Sequence, residues 1–259
     1  MASAAVITGA TGLLGSWVLS HWDVPGVTPV PVSGSDVDLL ARGAATDLLA
    51  RTQPAYVVHL AWCASGRPDY RGSSDNDRWV EASLELVAAA RAMGSAVWLT
   101  GTVVDETREA LDAYSRAKAR LKTTLASDIG SGAVGWLRPF YVFDEKWRRP
   151  GVVDHAVAAR DRGEPVQLQT PAQAHDFVHA SDVGSAIVTA VGHGLTGEVP
   201  IGSGALHTVA DVVTALGGEW SAATEVPREQ AHLEHVADTH RLTALGWGPT
   251  RTEEFFAHD

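Results

Sequence analysis

Apolar residues come along this chain in short blocks separated by polar and glycine-rich breaks. Five such blocks, at residues 4–8, 27–32, 56–60, 96–100 and 133–137, are bounded by turn formers and read as strands. Between them the apolar positions recur at helical spacing, as in 13–19, 77–92 and 114–125. Alternation of this kind predicts an α/β fold with a parallel sheet covered by helices on both faces. After Pro139 the regularity loosens. That change divides the chain into a sheet domain, residues 1–139 plus 177–194, and a smaller C-terminal lobe built from 140–176 plus 195–259. Ligands of open α/β sheets bind beyond the strand C-termini, so the cleft belongs between the two.

The first block is followed at once by TGATGLLG, residues 8–15, and then by an amphipathic run. A strand, a glycine turn and a helix in that order form a phosphate cradle. Gly9 permits the tight turn, Gly12 lets backbone amides approach a pyrophosphate, and Gly15 lets the helix sit close to the strand. The positive end of the helix then faces the anion. The spacing is GxxGxxG, and alone it is a weak signal; the strand before it and the helix after it strengthen it.

Composition narrows the partners. At 259 residues the chain is long enough for a sizeable core. Its 31 acidic and 20 basic residues give a net charge of −11, which opposes binding to nucleic acid or an anionic membrane. One cysteine, Cys63, excludes an internal disulfide framework, and no apolar stretch reaches the length of a membrane span. The first strand begins within a few residues of Met1, leaving no room for a leader peptide, so a cytoplasmic protein is expected. The 11 histidines show no HExxH spacing, and the single HxxxH pair, His175 and His179, has no cysteine cluster beside it, so no metal is expected. Ser16 and Ser65 lack a GxSxG elbow, which removes the usual hydrolase signal.

Chemistry enters with DAYSRAKARL, where Tyr114 and Lys118 stand four residues apart on one helix face. A phenol with a reference pKa of about 10 is a poor acid or base near neutrality, but an adjacent ammonium favours the phenolate. Tyr114 is then able to give a proton to a carbonyl oxygen as hydride arrives, or take one as it leaves. The strand at 96–100 ends in TGT, offering hydroxyls at Thr100 and Thr102 to hydrogen-bond a substrate carbonyl; the bland alternative is that both merely cap a strand end.

These stretches, with HLAW at 59–62, LRPF at 137–140, HDFVHASDVGSAI at 175–187, PIGSG at 200–204 and ADTHRLTALGWGP at 237–249, follow the order of the extended short-chain dehydrogenase/reductases, the NAD-dependent epimerase/dehydratase family, which the sequence resembles over nearly its whole length. The resemblance implies a Rossmann-type doubly wound parallel sheet with a small C-terminal substrate-binding lobe, a bound NAD or NADP, and epimerisation, dehydration or keto reduction of nucleotide-linked sugars. It makes Tyr114 the acid/base, Lys118 its tuner and a ribose ligand, and Thr102 the hydroxyl partner with Thr100 in reserve. Coenzyme contacts are implied for Gly9, Thr11, Gly12, Leu13 and Gly15 in the turn, Ser33, Asp38 and Leu39 near the adenosine, Ala61 along the cofactor, and Pro139 and Phe140 beside the nicotinamide.

Departures from the family pattern carry information. Val103 and Val104 stand where dehydratases place Asp-Glu, so a 4,6-dehydratase is disfavoured unless Asp105 or Glu106 fills that place through a shifted register. His175 stands where the family offers an arginine for the substrate diphosphate, and a histidine lacks that permanent forked charge. Arg148 or Arg149 is the candidate replacement, while Trp62 and Trp147 are candidates for stacking on substrate. The second strand ends in PVSGSD, with hydroxyls at Ser33 and Ser35 before Asp36, which favours NADP(H) slightly over NAD(H). The expected activity is a ketoreductase acting on a nucleotide-activated deoxysugar or a related biosynthetic ketone. An epimerase, an aromatic ketoreductase of secondary metabolism and a non-catalytic nucleotide-sensing module are the alternatives. The partners are a small-molecule substrate and a second copy of the chain, in a homodimer through the helices at 77–92 and 114–125.

Overall fold

A computed structural model describes residues 3–63, 69–103, 112–146, 151–223 and 235–257. The first half alternates as the pattern requires: β1 (Ser3–Thr8), α1 (Leu13–Ser20), β2 (Val27–Val32), α2 (Ala44–Thr52), β3 (Tyr56–His59), α3 (Asp75–Ala92), β4 (Ala96–Thr100), α4 (Ala113–Thr124), α5 (Ala126–Gly130) and β5 (Gly135–Pro139). There follow β6 (Tyr141–Phe143), α6 (Val152–Arg162), β7 (Val166–Leu168), β8 (Ala174–His175), β9 (Phe177–His179), α7 (Ala180–Gly192), β10 (Gly197–Ile201), β11 (His207–Thr208), α8 (Val209–Ala215), β12 (Trp220–Ala222), α9 (His240–Thr243) and α10 (Thr250–Phe256).

Six strands form one parallel sheet in the order β10-β5-β4-β3-β1-β2, so the expected α/β architecture is present. Chain order reverses between β1 and β3, which opens the crevice where ligands of such sheets bind. One face is covered by α2, α3 and α4, whose Leu49, Leu86 and Leu121 pack with Val57 and Trp136. The other is covered by α1 and α7, whose Val18 and Ile187 pack with Ile7, Val58 and Trp98. A third apolar cluster, including Ala156, Val166, Phe177, Val212 and Phe255, gathers α6, α8, α10 and the short pairs β6–β9 and β7–β12.

Two boundaries differ from the sequence pattern. Residues 195–201, grouped by that pattern with the smaller lobe, supply β10, which pairs with β5 at the sheet edge. An edge strand of five residues containing Pro200 has little apolar pattern to show. The fifth strand begins at Gly135 instead of residue 133, because the amides of Ala133 and Val134 donate back to the Asp128 carbonyl. Gly135 is required at its place: a Cβ there would lie 2.1 Å from the Trp98 ring, which is fully buried and donates its indole N–H to the Leu195 carbonyl.

Candidate active site

The site forms where β1, β3, β4 and β5 end. Gly9 turns the chain with φ +71°, and a Cβ on it would lie 2.7 Å from the Ala61 amide nitrogen. A Cβ on Gly15 would lie 2.2 Å from the Gly9 carbonyl, so α1 is held against the turn at a distance only glycine allows. Gly12 is the N-cap of α1 and supplies no side-chain oxygen to its first amides. Uncapped amides at the positive end of a helix, in a turn too tight for side chains, suit the pyrophosphate of a dinucleotide, and the expected loop residues Thr11 and Leu13 lie there with Gly9, Gly12 and Gly15.

At the end of β2 the expectation needs correction. Asp36 follows Ser33 by three residues, yet its carboxylate folds back to accept from the Ser33 amide at 2.8 Å and the Ser33 hydroxyl at 2.6 Å. Those bonds, the hydroxyl first, hold its pKa below the ordinary carboxylate range. The acid expected only later along the chain is therefore held at the strand end. Asp38 accepts from the Leu40 amide, and Leu39 is buried in the core.

Below the turn lies a chain of hydrogen bonds that spacing does not reveal. His59, fully buried, contacts the Thr8 hydroxyl through Nδ1 at 2.7 Å and the Ser83 hydroxyl through Nε2 at 2.9 Å. Ser83 donates its own proton to the Trp79 carbonyl, so it accepts from Nε2–H, and Nδ1 accepts from Thr8. Thr8 Oγ1 in turn accepts from the Ala61 amide at 3.4 Å. Burial, aided by the Lys118 charge, lowers the His59 pKa to about 3, so the ring is neutral.

Tyr114 and Lys118 sit on the first turns of α4. Asp112 caps that helix by accepting from the Ser115 amide at 2.7 Å, which sets the rotation that turns Tyr114 toward the cleft. Lys118, 3% exposed, donates to the Thr100 carbonyl at 2.8 Å and places its ammonium 3.6 Å above the Trp62 ring. Trp62 is itself fixed: its indole N–H donates to Asn76 at 2.8 Å, Trp79 stacks on it, and Tyr114 meets it edge-on at 6.2 Å. It lines the cleft and packs against Tyr114 and the Lys118 ammonium from one side. Gly101 lets the β4 end pass the Trp136 indole, which a Cβ would approach to 2.3 Å; Thr100 and Thr102 flank that point.

These elements enclose a cleft of about 200 Å³ whose lining joins Gly9, Gly12 and Gly15 to Thr100, Thr102, Tyr114 and Lys118, with Pro139 and Phe140 on the β5 side. A wider hollow of about 780 Å³ lies near the ends of α4 and α5 and the start of β10, but its cations are committed: Lys122 to Glu198, and Arg241 to the carbonyls of Thr196 and Glu198. His175 is buried with its ring 3.9 Å from that of Tyr141. Trp147, Arg148 and Arg149 lie outside the described residues, as do Val104, Asp105 and Glu106. Spacing missed Tyr70 and Arg71, which also line the cleft; only Asp112, three residues before Ser115, left a readable capping signal.

Asp144, Glu145 and His179 approach one another closely enough to hold a cation, yet each ligand atom has a protein partner. The Ser181 amide donates to His179 Nδ1, so Nε2 carries the proton and donates to Glu145; Arg251 takes the other Glu145 oxygen, and the Trp17 indole and Lys146 amide take Asp144. The cluster fastens α10 and α1 to β6 and β9.

A model of the NAD dependent epimerase/dehydratase family matches residues 5–202. The chain belongs to that family. No curated protein is a significant sequence match. Among solved structures it is similar to the UDP-glucose 4-epimerase of Thermus thermophilus complexed with NAD, with TM-score 0.72 and 20% identity over 98% of this chain and 99% of that one. It is also similar to a GDP-mannoheptose C4 reductase from Campylobacter jejuni with NADP bound, with TM-score 0.73 and 14% identity over 95% and 93%. A Helicobacter pylori ADP-L-glycero-D-manno-heptose-6-epimerase gives TM-score 0.75 and 17% identity over 95% and 91%. Identities at this level show a shared fold for this family member.

Proposed function

We propose that this family member is an NAD(P)-dependent oxidoreductase that reduces a keto group of a nucleotide-activated deoxysugar or a related biosynthetic ketone. The observation that carries the reading is the meeting of Tyr114, Lys118 and the Thr100–Thr102 turn with the glycine cradle in one cleft. Gly9, Gly12, Gly15 and the start of α1 would hold the coenzyme pyrophosphate, Ala61 would lie along it, and Pro139 and Phe140 would border the nicotinamide. The coenzyme supplies hydride. Thr102, with Thr100 behind it, orients the substrate carbonyl by hydrogen bonding, and Tyr114 delivers a proton to its oxygen as negative charge develops there. The Lys118 ammonium stabilises the phenolate that remains.

The Campylobacter reductase supports this reading, and the Thermus epimerase, aligned over 99% of its length, supports a second one, a nucleotide-sugar epimerase. The same tyrosine, lysine and threonine serve both, because an epimerase returns the hydride to its own ketone intermediate. Incubating the protein with NADH or NADPH and a panel of keto-sugar nucleotides separates them: a reductase consumes coenzyme mole for mole, while an epimerase interconverts sugars with no net absorbance change at 340 nm. Absence of both activities across the panel would overturn the proposal.

The Asp36 carboxylate at the β2 end favours ribose hydroxyls over a 2′-phosphate, which moves the coenzyme preference from NADP(H) toward NAD(H). Dissociation constants for the two coenzymes, measured side by side, decide it. A homodimer through α3 and α4 would have to rearrange or accommodate the ion pairs of Arg120 with Asp77 and Glu81 on those helices, and sedimentation velocity tests that assembly.

A further inference from the structure

Among the described residues, the substrate half of the cleft is walled by phenol rings around one guanidinium. Arg71, on the 3₁₀ turn Tyr70–Gly72, lines the cleft and stands 5.7 Å from the Tyr70 ring centroid and 5.6 Å from that of Tyr114. Its charge reaches Tyr141 as well, where it opposes the upward push that burial gives that phenol. The guanidinium is fixed at one corner: Nη1 donates to Asp112 at 2.8 Å, and Asp112 is itself fixed as the cap of α4. The cation is thus tied to the helix that presents Tyr114. The remaining donors make no hydrogen bond to described residues, and the side chain is 52% exposed.

An arginine whose fork is oriented by one carboxylate, backed by aromatic faces and open on its other edge suits bidentate binding of an anionic oxygen group. Lys118 is the other cation lining the cleft, and it is buried against the Thr100 carbonyl and Trp62. His175, at the position where a family arginine is expected, lies flat against Tyr141. In a chain of net charge −11, an anionic substrate needs a local cation to enter this cleft.

We propose that Arg71 is the cation with which this protein grips an anionic oxygen group of its substrate, either a phosphate of the nucleotide diphosphate or a carboxylate on the sugar ring. The inference rests on the nucleotide-sugar reading for the nature of the substrate, while the grip itself is a property of the cleft.

The test uses the coenzyme-loaded full chain and calorimetric titration with UDP-glucose, UDP-glucuronate and inorganic pyrophosphate, for wild type, Arg71→Lys and Arg71→Gln. Arg71→Gln is expected to weaken the gripped probe about tenfold or more, the share of a charge-assisted hydrogen bond. Arg71→Lys, which keeps the charge and loses the fork, is expected to fall between. Coenzyme affinity, measured in the same variants, should stay within twofold and so reports that the Asp112 cap and the fold survive. Equal losses for both nucleotide sugars identify a phosphate as the gripped group; a loss confined to UDP-glucuronate identifies the sugar carboxylate. Pyrophosphate binding that depends on Arg71, without binding of either nucleotide sugar, upholds the grip and sinks the nucleotide-sugar reading. Probe affinities unchanged by Arg71→Gln, or no binding of any probe by the wild type, overturn the inference.

Discussion

The neutrality of His59 has a measurable consequence for acid stability. In the folded chain the ring accepts from Thr8 and donates to Ser83 in full burial, and its pKa falls from 6.5 to about 3. The unfolded chain takes up a proton near pH 6.5, so this contribution to stability is complete above that pH and is lost as pH falls from 6.5 toward 3. Each unit in that window favours unfolding by about 1.4 kcal/mol, and pH 4 lies about 2.5 units below the unfolded value, so the loss by pH 4 is roughly 3 kcal/mol. Against a typical domain stability of about 5–15 kcal/mol this is large. Urea denaturation of wild type and His59→Gln at pH 7, 6, 5 and 4 isolates the effect. The variant is expected to be less stable at pH 7, through its lost hydrogen bonds, and to close on the wild type by roughly 3 kcal/mol by pH 4. Parallel stability curves, or an NMR titration placing His59 near pH 6.5, would refute the reasoning.

Three further outcomes are expected. Tyr114→Phe should lower turnover by about 10²–10⁴-fold while leaving coenzyme affinity nearly intact, as seen by comparing stopped-flow rates with fluorescence titration. Gly15→Ala puts a methyl group 2.2 Å from the Gly9 carbonyl, so it should destabilise the fold by about 1–3 kcal/mol in denaturant melts and weaken coenzyme binding in parallel. Trp62→Leu removes the ring beneath the Lys118 ammonium, a contact of about 0.5–2 kcal/mol; the Tyr114-dependent limb of the pH–rate profile should move, and an unmoved limb would leave Trp62 a packing residue only.

What the sequence disclosed follows from how local each feature is. β1, β3 and β4 are interior runs whose apolar stretches have no other use, β2 is legible from Val27, Val30 and Val32 although it lies at the sheet edge, and Tyr114 and Lys118 are visible because one helical turn fixes their relation. β10 was hidden because Gly197, Glu198 and Pro200 leave it only Val199 and Ile201 as buried apolar positions, and the start of β5 because it depends on a turn back to Asp128 and on the ring of Trp98. In the site, the contacts the sequence hid are those between residues distant along the chain: His59 with Thr8 and Ser83, Trp62 with Asn76, and Arg71 with Asp112. The direction of the Asp36 carboxylate was hidden for a different reason. Counting along the chain puts it three residues past Ser33, whereas the turn returns its carboxylate to Ser33.

Lys118 links the stability of the site to its chemistry. A buried ammonium is unfavourable unless groups around it replace water, and here the Thr100 carbonyl and the Trp62 face do so. In the proposed reaction its positive charge would stabilise a Tyr114 phenolate, and the same charge helps keep His59 from taking a proton. A neutral His59 is in turn the acceptor that orders Thr8, and through Thr8 the Ala61 amide beside the Gly9 turn. Among the described residues, the Thr100 carbonyl and the Trp62 indole, polarised yet uncharged, hold the lysine in place while its field acts on the histidine beneath the glycine turn.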